Sequence, residues 1–495
     1  MSILISLNSV ILAVAILFLY ASWSLYKKRR SFRHITSKIP TRYGIPFIGI
    51  AYEFLDLTKV YKNASRGFDK IKSLTACVWV ANTPIVITID PEVIKHVTTS
   101  PEFLNKARDL YAHFHNGVIN GLIVNPVKKW KPDRKAITPF LSHNNILSFF
   151  PFFNDNAKNV LRKLSDLAGH GEKDVYGIIK AMGLQLSILT IMGIKIEEGT
   201  QKYNEIMNAF NILVHRMADN SVYSSVGLGF LTLTPTYNRT IKYLRELVRS
   251  LIKETLARQS DEDKFEDGRQ TVIDLMLRVM RQGHFTPNDV EIESFTMIAA
   301  SYETSAFAVY STIVMLAMHP EIQERAFQEV YSVYPDKITS VEYDELKNLP
   351  YLDMVIAESL RLNPPIPYIG RQTINETELW PGLTLPKEMQ VIIPIYELHR
   401  RKELWGPEAA RFNPDNFLPE NIAKRHPCTY MAFSKGPRNC IGFRYADVTL
   451  RVLLITLLRS LKFSTTFRYE DIVFMPRVTL SYEKEPLVSI ELRDC

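Results

Sequence analysis

Cysteine is scarce in this chain: four residues, Cys77, Cys428, Cys440 and Cys495, in 495. So few and so widely spaced, they exclude the disulfide framework of a small secreted domain and point to a reducing compartment. No Ser/Gly-rich linker, internal repeat or low-complexity tract interrupts the sequence, and hydrophobic residues at 46% with charged residues at 23% exclude a disordered or collagenous chain. Acid is missing from residues 1–52, which carry seven basic side chains (Lys27, Lys28, Arg29, Arg30, Arg33, Lys38 and Arg42). Outside that segment 53 basic residues face 52 acidic ones, so the net charge of +8 belongs to one end and the body offers no broad nucleic-acid surface.

Charge is absent altogether from Ile3 to Tyr26. As a helix these 24 residues rise about 36 Å, enough for a hydrocarbon core of about 30 Å. No small-residue cleavage site marks a signal peptide, so residues 3–26 are expected to be an uncleaved transmembrane anchor. Lys27 to Arg30 come directly after it, which places the body in the cytosol. Asn63, Asn238 and Asn375 begin N-x-S/T sequons, and a glycan on any of them would contradict that orientation. Residues 27–46, with Pro40, Gly44 and Pro46, read as a basic, proline-stiffened hinge, and residues 47–495 as one catalytic unit. The charged run Gln259 to Arg269 reads as a solvated loop.

The body is expected to be mainly helical with a minor sheet. A long helix starts at Thr286-Pro287-Asn288-Asp289 and is stopped by Pro320 after His319; Glu321 to Val333, Tyr343 to Leu362 and Tyr445 to Leu461 also show helical periodicity, while Gln390 to Ile395 and Leu487 to Leu492 read as strands.

The chemistry is concentrated in Phe433-Ser434-Lys435-Gly436-Pro437-Arg438-Asn439-Cys440-Ile441-Gly442. A cysteine just ahead of a helix meets backbone N–H groups and a positive dipole end, which favours thiolate, and flanking glycines allow a tight turn and close approach to a flat partner. A thiolate here can be a nucleophile, a zinc ligand or a haem ligand. Zinc lacks its ligand set, since only His426 and Cys428 lie nearby, and a nucleophile would need a histidine base that sequence alone does not place.

The pattern F-x-x-G-x-R-x-C-x-G, met by Phe433, Gly436, Arg438, Cys440 and Gly442, has chance odds on the order of 10⁻⁵ and resembles the haem-binding loop of the microsomal cytochrome P-450 monooxygenases. The resemblance implies the cytochrome P-450 fold: a large helical domain with a long central helix and a small β-rich part, here preceded by one transmembrane helix. It implies Cys440 as the proximal thiolate ligand of haem b, a ligand that favours O–O cleavage, with Arg438 on a propionate and Phe433 covering the sulfur. Ala300-Ser301-Tyr302-Glu303-Thr304-Ser305 is similar to the family's oxygen-binding groove, which gives Glu303 and Thr304 a proton-relay role. Ser301 departs from the usual Gly and should narrow the groove or join the oxygen site. Ala300 stands where many family-4 members carry a haem-esterifying Glu, so the haem is expected to be noncovalent.

Glu358-Ser359-Leu360-Arg361 matches the family's E-x-x-R, selected from Glu246/Arg249, Glu397/Arg400 and Glu408/Arg411 by its order in the chain. Asn416 stands where the family usually supplies an Arg, so the pair should gain a neutral partner. Trp130 and Arg134 match W-x-x-x-R, and with Arg371 are implied to meet the propionates. Phe295, Ala299, Ile366, Tyr368 and Val478 are the expected substrate pocket. Lys128, Lys129, Lys131, Lys135, Lys435 and Arg444 form a candidate basic landing area for a flavoprotein. The segments Gly121 to Leu147 and Tyr396 to Arg400 resemble the insect branch of family 4. The resemblance further implies insertion of one oxygen atom of O2 into a fatty acid, hormone or xenobiotic at the endoplasmic reticulum membrane. It implies NADPH as the source of electrons through cytochrome P-450 reductase, with cytochrome b5 a further candidate donor. A haem-thiolate isomerase or a noncatalytic membrane haem-binding protein is the alternative.

Overall fold

A computed structural model describes residues 7–115, 119–225, 234–260 and 270–493. Helix α1, Leu7–Ser31, leaves Ile11, Leu12, Leu17, Phe18 and Leu19 exposed and meets the body towards its C-terminal end, where Leu25 is buried and Arg29 lies over the Trp79 ring. An apolar helix of about 37 Å, mostly uncovered by protein, is a candidate membrane span. It continues past Tyr26 to Ser31, so Lys28, Arg29 and Arg30 lie in its last turn, where cations suit the negative end of the dipole. The hinge therefore starts later than its composition suggests. The hinge pairs with the sheet: Cys77 N donates to Pro40 O at 2.9 Å, and Thr41 lies opposite Cys77.

The main sheet has five strands: β1 (Thr41–Arg42), β2 (Thr75–Val80), β3 (Thr83–Thr88), β4 (Tyr368–Gln372) and β5 (Gln390–Pro394), in the order β1-β2-β3-β5-β4. β2 and β3 form an antiparallel hairpin with Thr75 opposite Thr88, β5 runs parallel to β3 with Gln390 opposite Ile85, and β4 returns antiparallel with Arg371 opposite Val391. Both faces of β5 are covered, and its Val391 and Ile393 are buried.

The helical part is built around α10, Pro287–Met318. Its start is a capping box in which Thr286 Oγ1 accepts from Asp289 N at 3.1 Å while the Asp289 carboxylate accepts from Thr286 N at 3.0 Å, and Pro287 occupies the first turn. From Val290 to Ala317 it is buried almost all round, as a helix must be when it crosses a core. Before it come α2 (Val60–Ile71), α3 (Gly121–Val124), α4 (Val127–Ile137), α5 (Phe150–Ser165), α6 (Tyr176–Met192), α7 (Gln201–Ser225), α8 (Pro235–Ser260) and α9 (Val272–Arg281). After it come α11 (Pro320–Val333), α12 (Pro350–Leu362) and α13 (Phe443–Leu458).

The expected helix Tyr343 to Leu362 is two elements, a 3-10 turn over Tyr343–Asn348 and then α12, because Pro350 has no N–H to continue the ladder. The helix expected to end at Leu461 stops at Leu458, and Leu461–Ser464 pairs as a strand with Ser489–Leu492. Of the charged run at Gln259, helix α8 takes in Gln259 and Ser260; Asp261 to Arg269 lie outside the described residues.

Candidate haem-thiolate site

The cysteine loop is shaped by backbone before any ligand is considered. Gly436 has φ +72°, and a Cβ there would lie 1.9 Å from the Thr98 carbonyl oxygen, so only glycine fits. Cys440 N donates to Phe433 O at 2.9 Å and Asn439 N to Gly436 O at 3.0 Å, which folds the loop back on itself and presents the sulfur. Gly442 differs from expectation. Its φ is −86° and a Cβ would meet only Cys440 Sγ at 3.9 Å, so the turn does not require glycine there. Phe433 packs edge-on against Phe443 with centroids 4.9 Å apart. The sulfur is accessible, but to an interior cavity of about 630 Å³. Burial consequently pushes the Cys440 thiol up, against the lowering effects of the Gly442 N–H, Arg134 and Lys106. The dipole argument for a free thiolate is thus outweighed by desolvation, and a metal cation is what would deprotonate this thiol.

Three cations, Arg438, Arg134 and Lys106, share the cavity with it, and a fourth, Arg371, lies within electrostatic reach of Arg438 and Lys106. Arg438 is buried over the Trp130 ring, 4.1 Å from its centroid, and donates to Leu104 O at 2.9 Å and Asn125 O at 2.6 Å. Arg134 donates to Asn439 O and Oδ1, both at 2.9 Å. Arg371 is fully buried, with Nε and Nη2 lacking any partner. Lys106 lies against Tyr111. Among the described residues none of the four has an ion pair. Burial drives Arg438 down to about 9, with repulsion from Arg371 and Arg134 adding to it. Lys106 falls well below its ordinary value through burial and then through Arg371, Arg438 and Arg134. A desolvated, mutually repelling cluster with orphaned donors is what an anionic ligand would relieve.

Helix α10 forms another wall of the cavity through Thr296, Met297, Ala299, Ala300, Ser301, Glu303 and Thr304. Thr304 Oγ1 donates to Ala300 O at 2.7 Å. The buried Glu303 carboxylate is held 3.3 Å from Lys180 Nζ of α6. Ser301 Oγ lies 2.7 Å from Ser187 Oγ, so its hydroxyl is committed to α6 rather than free in the groove. Ile366, Tyr368 and Val478 also line the cavity. Phe295 does not: α7 covers that turn of α10, and the ring stacks on Phe210 with centroids 5.6 Å apart.

Behind the loop, Arg361 grips Glu358 with two bonds, Nε to Oε2 at 2.6 Å and Nη2 to Oε1 at 2.7 Å, and both residues are fully buried. Arg361 also donates to the carbonyls of His399, Ala409 and Arg411. The other pairs of that spacing are different objects: Arg249 bonds Glu291, Arg400 bonds Tyr469, and Glu408–Arg411 is exposed. Asn416 Nδ2 donates to Glu358 Oε1 at 3.1 Å. Arg425, which no spacing rule singles out, donates to Asn416 O and lies over the Trp405 ring at 4.2 Å. Its positive charge lies within electrostatic reach of Glu358.

On the outer surface Lys128, Lys131, Lys135 and Arg444 are exposed, but Lys129 is spent on Asp289 at 2.7 Å and Asp133 at 3.4 Å. Sequence reasoning misses Lys106 because a lone lysine among 60 basic residues carries no pattern.

A sulfur in a mostly apolar cavity, flanked by cations that have no ion pair among the described residues, suits a flat cofactor with one soft-ligand metal and two carboxylates, which is haem. The chain belongs to the cytochrome P450 family, whose model matches residues 39–485. At that level it is a haem-thiolate oxidoreductase that incorporates oxygen. Among its relatives, "Probable cytochrome P450 313a4" of Drosophila melanogaster is 33% identical, with 97% of each chain covered. "Cytochrome P450 4c21" of Blattella germanica is 29% identical, covering 98% of this chain and 99% of the relative. "Cytochrome P450 4c3" of Drosophila melanogaster is 30% identical, over 95% and 92%. The insect branch of family 4 is therefore among its kin.

Proposed function

We propose that this chain is a membrane-anchored monooxygenase that inserts one atom of O2 into a lipophilic substrate, with residues 7–31 as the anchor and the body as a single catalytic domain. The observation that supports it best is the accessible sulfur of Cys440 in one cavity with Arg438, Arg134, Lys106 and the polar turn of α10. Haem, when bound through Cys440, supplies the activation of dioxygen. Arg371, Arg438, Arg134 and Lys106 hold its two propionates, and Trp130 fixes the orientation of Arg438. Phe433 shields the sulfur from water. Ala300, which lines the cavity with a methyl group and no carboxylate, would offer a bound haem nothing to esterify.

Thr304 Oγ1, whose hydrogen goes to Ala300 O, would present its lone pairs to the oxygen site, and the Glu303 carboxylate, once it parts from Lys180 and takes up a proton from solvent, would pass that proton on. Ala299, Ile366, Tyr368 and Val478 wall the substrate side and exclude water. The wall is mostly apolar, which suits a fatty acid, hormone or xenobiotic. Electrons come from NADPH through a reductase, with cytochrome b5 as a second donor, docked on Lys128, Lys131, Lys135, Lys435 and Arg444 at the endoplasmic reticulum membrane. The test is NADPH consumption with the reductase and a lipophile panel screened by spin-state shift: substrate-dependent product supports the reading. A haem-loaded protein that turns over nothing in the panel favours the isomerase or noncatalytic class.

A further inference from the structure

Glu293 is a carboxylate where none is expected, 2% exposed on the inner face of α10 and lining the cavity. Its sole hydrogen bond among the described residues is accepted from Leu122 N of α3 at 3.1 Å. The contact is shaped from both sides. Gly121 has φ +24°, and a Cβ on it would lie 2.7 Å from both carboxylate oxygens, so the glycine opens the space the glutamate fills. On its other side the same turn carries the acceptors of Arg438: Leu122 O at 3.4 Å and, just beyond, Asn125 O at 2.6 Å. Asn125 is tied to Asp133, Asp133 to Lys129, and Lys129 to Asp289, one turn before Glu293 on α10.

We propose that Glu293 is a positioning residue of the haem pocket: its carboxylate pins α3 to the long helix, and α3 in turn holds the Arg438 guanidinium where a propionate would meet it. This rests on Arg438 being a propionate partner. Nothing in α3 itself could do the holding, since a four-residue helix is too short to be stable alone.

The test is the rate at which the purified holoprotein loses haem to excess apomyoglobin, measured for E293A, E293Q, G121A, the E293A/G121A double variant and R438A. E293A should lose haem on the order of tenfold faster, the scale of a lost bond to a charged group. E293Q, which still offers an oxygen to Leu122 N, should restore most of the retention. G121A should match E293A, because its methyl pushes the carboxylate off Leu122, and the double variant should be no faster than either single one. Wild-type retention in E293A, or effects of E293A and G121A that multiply, would overturn the proposal. If E293A does not fold, E293D, one methylene too short for Leu122, replaces it in the comparison. R438A judges the other reading separately: wild-type retention there refutes Arg438 as a propionate partner, while the coupling of Gly121 and Glu293 still decides the latch.

Discussion

Glu293 has a second consequence that can be measured without any ligand. Burial, reinforced by Asp133 and Asp289 against Leu122 N–H and Lys129, raises its carboxyl from 4.5 to about 7. The unfolded chain gives up this proton near the lower value and the folded chain near the higher one. Between the two the folded state binds more protons, so stability falls as pH rises through this window and levels off above it. Glu397, raised to about 7, and Asp353, raised to about 6, act in the same direction. E293Q should flatten its share of the slope, on the order of 2 to 3 kcal/mol between pH 5 and 8, in denaturant titrations; an unchanged slope contradicts the assignment. Arg371 gives a second residue-scale prediction. With two donors buried and unpartnered, R371M should fold as well as the parent but release haem at least several-fold faster in the same apomyoglobin assay. Cys440, Arg438, Trp130 and Arg134 are legible in the sequence because each sits in a short, spaced pattern. Lys106, Arg425 and Glu293 are not, since each meets its partners through the fold and has no local signature. Phe295 misleads for the mirror reason: helical spacing gives the face of α10 but not that α7 covers it.

The long helix is legible from its cap and its stop almost to the residue, Thr286 and Pro320 being local signals that tertiary contacts have no cause to override. Tyr343 to Leu362 is not, because periodicity continues smoothly through Pro350 while its missing N–H breaks the ladder. The element with most at stake is α12. Glu358 and Arg361 are fully buried and satisfy each other together with three carbonyls, so removing one partner strands the other charge. Either E358A or R361A should cost about 3 to 5 kcal/mol. The expected result is loss of folded, haem-loaded protein on expression; normal accumulation contradicts the account. If the Arg425 charge stands in for the one Asn416 lacks, R425A should lose stability and N416R should recover part of it in the double variant, by thermal unfolding. Additive losses would mean that the two positions are not exchangeable.

Across the molecule, a cavity of about 630 Å³ joins parts of the chain hundreds of residues apart: Lys106 and Trp130 before the long helix, Ala300 to Thr304 within it, Tyr368 on the sheet, Cys440 near the end. The fold's task is to assemble these on rigid elements, with the apolar α1 exposed as a candidate membrane span. Removal of residues 1–31 should move the protein from the membrane to the soluble fraction on carbonate extraction without abolishing haem binding; loss of haem with the helix would contradict the separation of anchor and body. The most direct test of the whole is the carbon-monoxide difference spectrum of the reduced protein, taken beside that of C440S. The long-wavelength Soret band of thiolate ligation in the parent and its loss in C440S is the predicted result. Protein that binds no haem, or a C440S spectrum identical to the parent's, would contradict it.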